Sequence, residues 1–103
     1  GKDDLPVLTE ITEYQDSVID EDKKPKQIEI DLLGKNDSKI ILVGECKFKN
    51  KAFDKTDLES LVDKIRYLPV KNPIICIFSL SGFTDYVKNK ANNCRLISIE
   101  DMY

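Results

Sequence analysis

The chain alternates before it coils. In "QIEIDLLG", residues 27–34, Ile28, Ile30 and Leu32 fall on one face of an extended strand and Glu29 and Asp31 on the other. The polar stretch from Gly34 to Ser38 turns the chain into a second strand over Lys39–Lys47, so the two predict a hairpin. Residues 56–68 change period: Leu58, Leu61, Val62, Ile65 and Leu68 recur at helical spacing, Thr56 and Glu59 have the spacing of a capping box, and Pro69 ends the run. "IICIF", 74–78, is apolar on both faces, as a central strand must be. "SGFTDYVKNKAN" predicts a short helix from about Ser81, and "RLISI" a last strand.

The resulting β-β-α-β-α-β order predicts an α/β fold, a mixed sheet flanked by helices. Ahead of it, "LPVLTEITEY" reads as a strand from its Thr and Ile content or as a helix from Leu5, Leu8 and Ile11/Thr12; the strand is preferred, with "DEDKKPK" as a solvated turn.

Length and composition set limits. A chain of 103 residues supports a single domain spanning 1–103. With 41% hydrophobic and 34% charged residues, and no apolar run near the ~20 residues a membrane helix needs, it reads as a soluble, cytoplasmic protein with no membrane partner. Gly1 reads as a tag remnant on a segment cut from something longer. Cys46, Cys76 and Cys94 stand far apart without a C-x-x-C pair, which suits reduced packing residues. There is no histidine, which excludes Ser-His-Asp and Cys-His machinery within the chain and mixed Cys/His zinc sites. The four glycines stand apart, so no phosphate-cradling loop is present.

One stretch departs from ordinary strand behaviour. In "ILVGECKFKNK", 41–51, the apolar Ile41, Leu42 and Val43 give way to Glu45, Lys47 and Lys49 at alternate positions. Alternation puts Glu45 and Lys47 on one face about 7 Å apart. A short hairpin would bring Asp31 to the same patch. Two carboxylates and a backbone carbonyl are oxygen donors of the kind Mg²⁺ takes, and a lysine beside them could orient water or stabilise charge on a phosphate. The bare Asp/Glu-x-Lys pattern is common, recurring in the charged turn at Glu21/Lys23 and Asp22/Lys24. A solvated cross-strand pair is the plain alternative for Glu45 and Lys47.

Asp31 followed by Glu45-Cys46-Lys47 on the next strand resembles the PD-(D/E)XK nuclease superfamily. More narrowly, "EIDLL", "ILVGECKFKN", "FSLSGFTD" and the closing "LISIEDM" resemble the nuclease-like C-terminal domain attached to archaeal-type AAA+ ATPases, over residues 28–102. The resemblance implies a restriction-endonuclease-like fold. It implies Asp31 and Glu45 as ligands of Mg²⁺ or Mn²⁺, with the Cys46 carbonyl as a further metal contact and Lys47 as the catalytic lysine. It also implies a nucleic-acid substrate and an N-terminal ATPase domain as partner. Such nucleases usually carry another acid on a helix before the Asp strand; Glu10 and Glu13 fill that place only if residues 5–14 are helical.

The remaining candidates have structural readings. Ser79, Ser81 and Thr84 are expected as hydroxyl caps at a strand-to-helix turn. Phe48, Phe53, Phe78 and Phe83 are expected to pack in the core or at an edge. Lys47, Lys49, Lys51 and Lys55 make a basic run, yet a net charge of −3 predicts weak autonomous nucleic-acid binding. Two functions follow: a divalent-metal-dependent nuclease of DNA or RNA, binding metal weakly as an isolated fragment, or an inactive nuclease-like module that binds for, or regulates, an ATPase.

Overall fold

The computed structural model describes residues 7–99; Gly1, Leu5 and residues 100–102 of "LISIEDM" lie outside them. Five strands, β1 (Glu10–Ile19), β2 (Pro25–Asn36), β3 (Lys39–Lys47), β4 (Ile74–Ser79) and β5 (Cys94–Ser98), form one sheet in sequential order. The first three are antiparallel neighbours, whereas β3, β4 and β5 run parallel. Parallel neighbours need crossovers, and α1 (Lys55–Arg66) and α2 (Asp85–Lys90) supply them. The sheet is therefore mixed, and the α/β architecture is as the periodicity predicts.

Residues 10–19 are a strand paired along β2, so Glu10 and Glu13 do not sit on a helix. The β2–β3 hairpin turns through Asp37 and Ser38 alone, at φ 50° and 72°. Two consecutive left-handed residues make the tight turn whose twist suits paired strands. The extended turn from Gly34 is thus shorter than the sequence predicts.

Helix α1 is capped two residues earlier than its sequence signal. Asp54, not Thr56, is the N-cap: its Oδ1 accepts from the Asp57 amide at 3.0 Å, while Asp57 Oδ2 accepts from the Asp54 amide at 2.9 Å. A carboxylate at each end of the box satisfies two free N–H groups and favours the positive end of the helix dipole. Helix α2 starts at Asp85 with Thr84 as its N-cap, four residues after the expected Ser81. Ser81 instead donates its hydroxyl to the Lys49 carbonyl at 2.7 Å, and the fully buried Ser79 hydroxyl has no hydrogen-bond partner. Of the three hydroxyl residues, one is a cap.

Both helices cover the same face of the sheet, because Leu58 and Leu61 of α1 and Val87 of α2 join one core cluster with Ile28, Ile30, Leu33, Val43 and Ile77. Strict alternation would send Leu33 to the face opposite Ile30. The β1–β2 register explains why it does not: Thr12 pairs with Leu33 and Tyr14 with Ile30, leaving Asp31 and Leu32 opposite the single residue Glu13. That bulge keeps Ile28, Ile30 and Leu33 all buried on the helix side.

Candidate metal and nucleic-acid site

The same bulge builds the site. Ladder pairing between β2 and β3 ends at Leu32↔Gly44, one step before Asp31 would meet Glu45, although β3 continues to Lys47. Where the strands part, Asp31 Oδ2 accepts the Cys46 amide at 2.9 Å and so replaces a lost ladder bond. Its carboxylate and that of Glu45 line one cavity, near enough for Asp31 to disfavour the charge on Glu45. The two acids named from sequence are therefore brought together on adjacent strands, against the helix-covered side.

Glu45 is pulled two ways. Burial, first, and the neighbouring Asp31 carboxylate both disfavour its charge, while Lys64 of α1 favours it; the balance pushes its carboxyl up to about 7. Lys64 Nζ stands 3.1 Å from Glu45 Oε2, with the carboxylate side chain only 14% exposed. Burial also raises the Cys46 thiol, with the two nearby carboxylates adding to the effect, so the sulfur stays protonated and only the backbone of Cys46 suits a hard cation.

Lys47 points to the same side as Glu45 but not into open water. Its ammonium is ion-paired with Asp57 and donates to the Ala52 carbonyl at 3.2 Å, leaving its side chain 13% exposed. Asp57 thus serves twice, closing the helix cap and holding the lysine. Together Asp31, Glu45, Lys47, Asp57 and Lys64 border a cavity of about 390 Å³, with Phe48 at its edge. The walls are α1 and the ends of β2 and β3.

Sequence reasoning did not find Asp57 and Lys64. The signal was present: Lys64 is three residues beyond Leu61 and four before Leu68, so a lysine occupies the apolar stripe of α1. A charge on the buried stripe needs a partner, and Asp57, seven residues earlier, lies on the same side of the helix. Of the phenylalanines expected in the core or at an edge, Phe53 is 2% exposed and in the core, whereas Phe48 is 63% exposed and not packed there.

The donor set can be tested against a metal. Asp31 spends one oxygen on the Cys46 amide, and Glu45 spends one on Lys64, so each retains an oxygen for a cation. Among the described residues, no group of three or more acidic, cysteine or histidine side chains gathers to hold an ion. Two carboxylates plus a carbonyl fit Mg²⁺ or Mn²⁺ as a water-rich, weak site. No helix of the described residues is long and apolar enough to cross a membrane. No family model, curated protein or solved structure matches the chain.

Proposed function

We propose that this chain is a divalent-metal-dependent nuclease domain with a restriction-endonuclease-like core, attached in its parent protein to an ATPase. The observation that carries the reading is the meeting of Asp31 and Glu45 where β2 and β3 part, in a cavity that also receives Lys47. A bound Mg²⁺ would supply Lewis acidity and an activated water. Asp31, Glu45 and the Cys46 carbonyl would hold it. The chain's own part is positional: Asp57 fixes the Lys47 ammonium on the wall of the cavity that the acids line, and Lys64 favours the charged form of Glu45.

A Mn²⁺ titration followed by NMR tests the site. Paramagnetic broadening should appear at Asp31, Glu45 and Cys46 at millimolar metal and disappear in Asp31→Asn, and the full-length parent should cut nucleic acid in a metal-dependent, Asp31-dependent way. Absence of broadening favours a second reading, a nuclease-like binding or regulatory module of the ATPase. One observation supports that alternative: Lys47 and Lys64, two of the three lysines that line the cavity, are already engaged by carboxylates.

A further inference from the structure

Resting on the nuclease reading, the structure assigns Phe48 as a stacking platform for a base of single-stranded nucleic acid at the mouth of the Asp31/Glu45 cavity. A phenylalanine follows Lys47 directly at the end of β3, lines the cavity edge and is 63% exposed. Its neighbour Lys49 also lines the cavity and is exposed, and Lys51, on the same connection, has 72% of its side chain in solvent. Lys51 pairs with Asp54 at 3.3 Å, so Lys49 is the nearer ammonium open to a phosphate; an exposed aromatic face beside such a group is the combination that holds an unpaired base and its backbone.

The exposure of Phe48 is not that of a loose loop. Residues 48–53 are clamped at both ends to the segment after β4. Leu80 donates its amide to the Lys47 carbonyl at 2.9 Å, Ser81 its hydroxyl to the Lys49 carbonyl at 2.7 Å, and Phe53 its amide to the Gly82 carbonyl at 2.9 Å. Thr84 returns an amide bond to the Phe53 carbonyl at 3.1 Å, and the rings of Phe53 and Phe83 lie 6.0 Å apart. Gly82 makes the turn with φ 77°, a conformation that side chains resist. A rigid mount gives an aromatic contact at low entropic cost.

The occupant's class follows from the surroundings. Bases inside a duplex are stacked and cannot offer a face to a side chain, so a single strand is the partner that uses Phe48. The cavity behind it is lined by Glu29, Asp31, Glu45 and Asp57 against three lysines, and two of those lysines are ion-paired. A strand of phosphates is therefore drawn in more strongly once a divalent cation has offset the acids.

Fluorescence anisotropy decides the matter, with a labelled 12-nucleotide single strand of DNA or RNA and the matching duplex, in Ca²⁺ or in EDTA. The expected result is preference for the single strand, an about tenfold loss of affinity in Phe48→Ala, recovery in Phe48→Tyr, and unchanged melting and Mn²⁺ broadening in both variants. Equal binding by wild type and Phe48→Ala, preference for the duplex, or no binding of either by wild type overturns the inference. Phe48-dependent binding of the single strand without any Mn²⁺ broadening keeps the platform and removes the metal site instead.

Discussion

Lys64 and Glu45 meet at 3.1 Å, with side chains 25% and 14% exposed, at the point where α1 crosses the ends of β2 and β3. The pair joins the helix to the acid that would bind metal. Among the described residues, Lys64 is the cation that favours the charged form of Glu45, and its removal leaves that carboxyl facing burial and Asp31 unaided. In Lys64→Gln, carbon-detected NMR titration should find the Glu45 carboxyl above its wild-type value of about 7. A value at or below it would show that the ion pair has no hold on Glu45.

Glu45 also gives stability a pH dependence. Its folded value, about 7, lies above the ordinary 4.5, so between those limits the folded state binds more protons than the unfolded one. Its contribution therefore falls as pH rises from about 4.5 to 7 and is flat beyond. Glu45→Gln, which never ionises, should gain melting temperature relative to wild type across that interval. Thermal melts in steps from pH 4 to pH 8 check the sign; a difference that shrinks with pH contradicts it.

Asp31 spends an oxygen on a backbone amide, so its removal should be felt there first. In Asp31→Ala the Cys46 amide should lose hydrogen-exchange protection, with a global loss of about 1 kcal/mol in urea melts. Asp31→Asn retains an acceptor and should restore most of the protection. Equal protection in Asp31→Ala would mean that another group satisfies the amide.

Lys47→Ala should be costly rather than neutral. A lysine at the exposed end of the sheet would change stability by less than about 1 kcal/mol. Here the ammonium is largely covered, and deletion leaves Asp57 half-buried without its cation, so a loss of about 1 to 3 kcal/mol is expected. Asp57→Ala should cost at least as much, because the half of the capping box that satisfies the Asp54 amide goes with it. Urea denaturation of both variants, and of the double variant to measure their coupling, decides this.

The cap itself has a pH signature. The Asp57 amide, foremost, and then Lys51 hold the Asp54 carboxyl down to about 2 from 3.8. Its stabilisation is present above the ordinary value and fades as pH falls through the folded one. The melting difference between wild type and Asp54→Ala should thus be constant above about pH 5 and narrow steadily below pH 4.

Much of the fold was legible because periodicity survives folding. Ile28 and Ile30, the helical run from Leu58 to Leu68, and the doubly apolar "IICIF" all lie in the elements their spacing predicts. What was illegible came from local exchanges of partner. The cap moved to Asp54 because Asp57 could answer it with a second carboxylate, and no spacing rule ranks that above Thr56/Glu59. The bulge at Asp31 and Leu32 depends on Glu13 across the sheet, a register that β2 alone does not specify. Asp31 and Glu45 could be paired by alternation, whereas the confinement of Lys47 depends on where α1 docks.

The change from antiparallel to parallel pairing at β3 also orders events in time. The β2–β3 ladder closes through two turn residues, so Asp31 and Glu45 are joined by a short-range search on the microsecond scale of hairpins. Lys47 and Asp57 stand ten residues apart and need only the first turn of α1, whereas Lys64 reaches Glu45 across 19 residues, once α1 has formed along its length and docked over the strand ends. During refolding, then, the two acids face each other for an interval without Lys64 beside them. Divalent cations present in that interval should speed the closing of the hairpin, by screening a repulsion that the finished molecule handles with its own side chains.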